Sequence, residues 1–204
     1  MIPQVDYRIC FVGDSFVLGT CDPECRGWAG RAAASARARG YDVAAYNLGV
    51  RRDTSRDIRA RWEAECLARF RFEGSARIVF SFGANDMTEE EGRLRVSMEE
   101  SVRRFRAILS SAMARYPVLM VGPSPVGDEA QDGRILDLCG QYQAAAKDLG
   151  VPYLPLASYL VDHPLWRSEI SQNDGSHPGA SGYELIAEKV TAWREWWFGG
   201  MNFN

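Results

Sequence analysis

Five short apolar runs rich in β-branched and aromatic residues punctuate this chain, and a stretch of helical periodicity follows most of them. The runs are RICFV at 8–12, DVAAYN at 42–47, RIVFSF at 77–82, VLMVG at 118–122 and VPYLP at 151–155. The helical stretches are GWAGRAAASARARG at 27–40, DTSRDIRARWEAECLARF at 53–70, a long segment from Glu89 to Tyr116, RILDLCGQYQAAAKDLG at 134–150 and GASGYELIAEKVTAWREWWFG at 179–199. Parallel strands need a crossover long enough for a helix, so this alternation predicts a five-stranded parallel sheet with helices on both faces. With 204 residues and 46% hydrophobic content, the chain can bury one two-sided core. The expectation is a three-layer α/β sandwich forming a single domain over 1–204.

In an open parallel sheet, ligands bind beyond the carboxyl ends of the strands, where the strand order reverses. The first run ends in Gly13-Asp14-Ser15, the second in Asn47-Leu48-Gly49 and the third in Gly83-Ala84-Asn85-Asp86. Each is an ordinary set of turn residues by itself. At the entrance to the last helix stands NDGSHPGASGY, with Asp174 three residues before His177, one of only two histidines in the chain.

Acyl transfer wants these residue types together. A serine hydroxyl attacks only when a base takes its proton, and histidine is the side chain whose ionisation suits that work. A carboxylate on the other ring nitrogen fixes the tautomer and stabilises the imidazolium. Ser15, His177 and Asp174 fit these three roles. The oxyanion formed on attack needs fixed donors, for which the N–H groups of Ser15 and Gly49 and the Asn85 amide are the candidates.

These residues resemble the SGNH, or GDSL-type, hydrolases, a group of esterases, lipases and acylhydrolases with a flavodoxin-like sheet. FVGDSFVLG is similar to the family's nucleophile block, YNLGVRRDTSRDIRARW to its glycine block, FGANDMT to its Gly-x-Asn-Asp block and DGSHPGASGY to its Asp-x-x-His block. The resemblance implies Ser15 as nucleophile, Gly49 and Asn85 in the oxyanion hole, Asp174 and His177 as the relay, and no cofactor or metal. Two positions depart from the pattern. Phe16 replaces the usual Leu after Gly-Asp-Ser, and Arg52, preceded by Arg51, stands where a second Gly is common. Two cations beside the oxyanion hole are unexpected for a neutral lipid substrate and suggest a carboxylate or phosphate on the ester.

Other classes fit less well. A P-loop has four residues between its glycines and then Lys, whereas five separate Gly13 from Gly19 and Thr20 follows. No Gly-x-Ser-x-Gly elbow occurs. A net charge of -3 offers no basic field for nucleic acid. With no signal-like leader, no run of membrane-spanning length and an odd five cysteines, the expectation is a soluble cytoplasmic protein without stable membrane insertion. In CDPEC, Cys21 and Cys25 read as free thiols in a turn, because no further soft ligands stand nearby in sequence.

The expected reaction is cleavage of a small acyl ester, acetyl among the options, with thioesterase, lysophospholipase and deacetylase activities open and an inactive binding module as the rival class. The loop SYLVDHPLWRSEISQN and the stretch GPSPVGDEAQDG supply Pro125, Leu165 and Trp166 as apolar pocket candidates, beside Arg51 and Arg52. The aromatic tail WREWWFGGMNFN offers a homodimer contact.

Overall fold

The computed structural model describes residues 5–71 and 75–199. Its elements, in chain order, begin with β1 (Asp6–Gly13), α1 (Ser15–Leu18), α2 (Gly27–Ala38), β2 (Asp42–Gly49), α3 (Ser55–Arg69) and β3 (Ser75–Ser81). A 3-10 turn at Ala84–Met87 leads to β4 (Glu89–Glu90), β5 (Arg93–Leu94), α4 (Met98–Met113), β6 (Val118–Val121) and α5 (Glu129–Leu149). The chain closes with β7 (Tyr153–Leu154), α6 (Ala157–Leu160), α7 (Pro164–Gln172) and α8 (Ala180–Thr191).

The large sheet has the order β2-β1-β3-β6-β7, and all its pairings are parallel. Counted along the chain, its strands run 2-1-3-4-5, so the order reverses at the first strand, with the crevice between the first and third. Helix α2 packs on α8, while α3, α4 and α5 pack side by side, so helices cover both faces. The central strands are correspondingly apolar: Ile9 to Val12 of β1 and Ile78 to Phe80 of β3 are all buried.

Three expectations need correction. The segment from Glu89 to Tyr116 is not one helix: β4 and β5 pair as a small antiparallel hairpin before α4 begins at Met98. Its turn puts Glu91 at φ 54 and Gly92 at φ 74, both left-handed as a tight hairpin requires, and glutamate there hides the turn from sequence reading. The segment before Asp174 is not a loop but carries α6 and α7, the latter started by Pro164, whose fixed φ suits a first helical position.

The third correction concerns the last helix, which stops at Thr191 instead of continuing to Gly199. Beyond it the chain turns, burying Trp196 and Phe198 and leaving Trp193 and Trp197 partly buried. The Phe198 ring sits 5.1 Å from Tyr7 and 4.9 Å from Tyr41, and its carbonyl accepts a 2.9 Å hydrogen bond from Arg39. The rest of the aromatic tail, 200–204, lies outside the described residues. No helix among the described residues is long and apolar enough to cross a membrane.

Candidate active site

At the end of β1 the chain makes one helical turn. Asp14 caps it, its carboxylate accepting from the Phe16 N–H at 3.0 Å, and Gly19 ends it at φ 86. Complete burial pushes the Asp14 carboxyl up to about 7, although the Phe16 N–H opposes that shift. The turn holds Ser15 at the carboxyl edge of the sheet, only 5% exposed.

His177 arrives from the loop before α8. The Asp174 Oδ1 accepts from the main-chain N–H groups of Ser176 at 3.0 Å and His177 at 2.9 Å, so the two residues are locked in one turn. Its Oδ2 lies 2.8 Å from His177 Nδ1, and His177 Nε2 lies 2.8 Å from Ser15 Oγ. An ionised carboxylate only accepts, so Nδ1 carries the proton and Nε2 is left to accept from the serine hydroxyl. Partial burial works against the Asp174 charge, but the His177 side chain and the two N–H groups hold its carboxyl down at about 2. The three residues thus form one hydrogen-bonded line.

Packing holds the imidazole in place. The Phe16 ring lies 5.0 Å from the His177 ring and stacks on Trp166 at 6.0 Å and 22°. Glu169, on the same helix as Trp166, accepts from the N–H groups of Gly179 at 2.8 Å, Ser181 at 3.2 Å and Gly182 at 2.7 Å, satisfying the start of α8 just after His177. Sequence reading missed Glu169, whose partners lie ten to thirteen positions along the chain.

Asn85 faces the cleft, with one amide N–H donated to the Asp53 carbonyl at 3.0 Å. Its turn is pinned by fully buried Asp86, which accepts from Ser55 N–H at 2.7 Å and Ser101 Oγ at 2.5 Å. Gly49 does not match its expected role. Its N–H is committed to Asn47 Oδ1 at 2.9 Å, and a Cβ there would stand 2.2 Å from Leu18 N, so the glycine admits the α1 turn rather than a substrate. Arg52, not Gly49, lines the cleft, at φ 68, the left-handed conformation that glycine adopts freely. Among the described residues, the N–H groups of Ser15 and Arg52 have no acceptor.

The cleft has a volume of about 300 Å³. Its floor is Ser15, Phe16, Asn85 and His177, and its rim holds Arg51, Arg52, Arg95 and Glu90. Glu90 accepts from Arg52 at 2.8 Å and lies 3.6 Å from Arg95. The acids nearest in sequence are occupied elsewhere: Asp53 pairs with Arg61 at 2.7 Å, and Asp57 accepts from the Thr54 hydroxyl at 2.6 Å. Arg51 has no ionic partner among the described residues. Pro125 and Trp166 do not line the cleft. Pro125 is buried beside Val126, which takes its place in the wall, and Trp166 is 1% exposed as the support behind Phe16. Leu165 is exposed but outside the cleft.

The five cysteines are free. Contrary to the reading of CDPEC as lacking ligands around it, the fold brings Cys21 to Asp174 and His177, the ligand atoms of all three lying within 4.8 Å of one another.

A doubly wound, flavodoxin-like sheet whose switch point presents a serine, a histidine from the last loop and an asparagine from the turn after the third strand lies outside the Gly-x-Ser-x-Gly class. The chain belongs to the GDSL-like lipase/acylhydrolase family, whose sequence model matches residues 11–185. It is similar in structure to the lipase/acylhydrolase from Enterococcus faecalis, with 22% identity and a TM-score of 0.74 over 90% of this chain and 93% of that one. A putative lipolytic protein of the G-D-S-L family from Desulfitobacterium hafniense DCB-2 gives 20% identity and 0.72 over 90% and 97%. A catalytic mutant of an acetylxylan esterase from Geobacillus stearothermophilus gives 13% and 0.72 over 97% and 99%. Among curated proteins, none matches the chain by sequence.

Proposed function

We propose that this acylhydrolase is a serine esterase that cleaves a small acyl ester through an acyl-enzyme intermediate. One observation carries the reading: the unbroken line from Ser15 Oγ through His177 to Asp174, with 2.8 Å at both contacts, opening on a cleft. His177 Nε2 takes the serine proton as Oγ attacks the ester carbon, and Asp174 stabilises the imidazolium. The oxyanion falls among the N–H groups of Ser15 and Arg52 and the second N–H of Asn85. His177 then returns the proton to the departing alkoxide, and a water deprotonated by the same nitrogen releases the acid. The cleft's small volume and charged rim favour a short acyl group, such as acetyl, over a lysophospholipid chain. Five unpaired cysteines support a reducing, cytoplasmic setting.

In Ser15→Ala, kcat on a short-chain aryl ester is expected to fall at least about a thousandfold with the fold intact, and a serine-directed phosphonate should label the parent at Ser15 alone. A residual rate within about tenfold of the parent would remove Ser15 from the mechanism. A protein with no turnover on any acyl ester would be a binding module instead.

Three arginines against one glutamate on the rim favour esters carrying a carboxylate or phosphate, and Arg51, without an ionic partner among the described residues, is placed to meet one. For a matched neutral and anionic ester, the anionic preference in kcat/KM is expected to shrink in Arg51→Ala and weaken with salt. An unchanged ratio would end the anionic assignment and leave the esterase reading in place.

A further inference from the structure

Cys21 has no part in acyl transfer, yet the fold sets its thiol against the two residues that make up the base. Its sulfur comes from the turn after α1, and the Asp174 and His177 ligand atoms come from the loop before α8, all within 4.8 Å of one another. The thiol is exposed and free. The turn that carries it is rigidly held on both sides. The Thr20 carbonyl accepts from the buried Tyr183 hydroxyl at 2.7 Å. Buried Asp22 accepts from the N–H groups of Glu24 at 3.1 Å, Arg26 at 3.1 Å and Gly27 at 2.7 Å, and pairs with Arg31. Cys21 itself stands at φ 67, a left-handed position that places its side chain where an extended backbone would not.

Thiolate, imidazole and carboxylate are the ligand types of zinc, bound at about 2.0–2.3 Å, so that tetrahedral ligand atoms stand roughly 3–4 Å apart. To meet that spacing the thiol closes in from within 4.8 Å, and the 2.8 Å contact between Asp174 Oδ2 and His177 Nδ1 opens slightly. We propose that Cys21, Asp174 and His177 form an inhibitory Zn²⁺ site that switches the base off, an inference that rests on the esterase reading above.

The switch follows from the two ring nitrogens. In the metal-free site Nδ1 holds the proton against Asp174 and Nε2 accepts from Ser15. Zinc takes the Nδ1 lone pair, so the single proton of the neutral ring moves to Nε2, and the Cys21 thiol releases its own proton to solvent. The metal keeps one position for water. With hydrogen on Nε2 the ring donates toward Ser15 instead of accepting, and the hydroxyl has lost its base. Calcium and magnesium, which want oxygen ligands, have little affinity for such a set.

The test uses zinc as inhibitor and cobalt as a spectroscopic stand-in. Zinc is expected to lower the parent's ester hydrolysis reversibly, with full recovery on chelation and no comparable effect of magnesium. Cys21→Ser, nearly isosteric, should keep the metal-free kcat/KM within about twofold while raising the half-inhibitory zinc concentration at least about tenfold. Cobalt added to Ser15→Ala should give a thiolate-to-metal charge-transfer band that the Ser15→Ala/Cys21→Ser double variant lacks. Equal zinc sensitivity in parent and Cys21→Ser, or no band in Ser15→Ala, would overturn the site. Because the band needs no turnover, a protein that shows it but hydrolyses no ester would overturn the esterase reading alone.

Discussion

At the scale of single residues, Arg52 joins two matters that the sequence presented as one. Its side chain reaches the rim and meets Glu90, while its main chain sits at φ 68 with an N–H that no group among the described residues accepts. The ion pair is exposed, so it contributes little, whereas an L residue in the left-handed region costs about 1 kcal/mol. If the main-chain N–H is the oxyanion donor, Arg52→Gly should hold kcat on a neutral ester within about threefold and raise unfolding stability by up to about 1 kcal/mol. A loss of more than about tenfold in kcat, ~1.4 kcal/mol of barrier, would assign the work to the guanidinium instead. Gly49 could not be separated from this role by sequence, because a glycine that admits substrate and one that admits a neighbouring turn read alike. The approach of Leu18 N tells them apart.

Among the elements, α7 supports His177 from two sides. Trp166 backs the Phe16 ring that packs on His177, and Glu169 accepts three N–H groups at the start of α8. Four N–H groups at any helix start lack partners within the helix, and here an acid from another helix supplies what a local cap would. Glu169→Gln turns one accepting oxygen into a donor that faces N–H groups. It is expected to cost ~1–3 kcal/mol in denaturant unfolding and to lower kcat more than it raises KM, through a displaced His177. Wild-type stability in the variant would show that the α8 start is held by other means. The hairpin of β4 and β5 shows how an element can be illegible: it is two residues per strand, its turn contains Glu91, and yet it delivers Glu90 and Arg95 to the cleft.

For the whole molecule, three acids with shifted ionisation set opposing demands on pH. Asp174 and Asp22 are both held down at about 2, Asp22 by Arg31 and main-chain N–H groups against the effect of burial. Each keeps its native interactions above the ordinary value of 3.8, and that stability is lost as pH falls toward about 2. Asp14 behaves in the opposite sense, since burial raises it to about 7. Between 3.8 and about 7 the native state holds its proton while the unfolded chain has released it, so stability falls as pH rises through that window. Asp14→Asn keeps an oxygen for the Phe16 N–H and removes the titration. Denaturant midpoints for this variant should therefore decline less than the parent's between pH 5 and pH 7. Parallel declines in the two proteins would contradict a raised Asp14.

Periodicity and residue type were enough to specify the parallel sheet, because apolar runs such as Ile78 to Phe80 suit strands buried on both faces, and enough to bring forward Ser15 and Asn85 after strands and Asp174 and His177 before the last helix, because those residue types suit acyl transfer. The alternation left α7 and the hairpin unseen, since a nine-residue helix and two-residue strands carry little periodic signal. Tertiary structure alone decided what lies across the cleft. It paired Arg52 with Glu90 over 38 positions, left Arg51 without an ionic partner among the described residues, committed the Gly49 N–H to Asn47 and carried Cys21 to Asp174 and His177. Such meetings depend on how separate loops converge on one edge of the sheet, and spacing along the chain carries no record of that convergence.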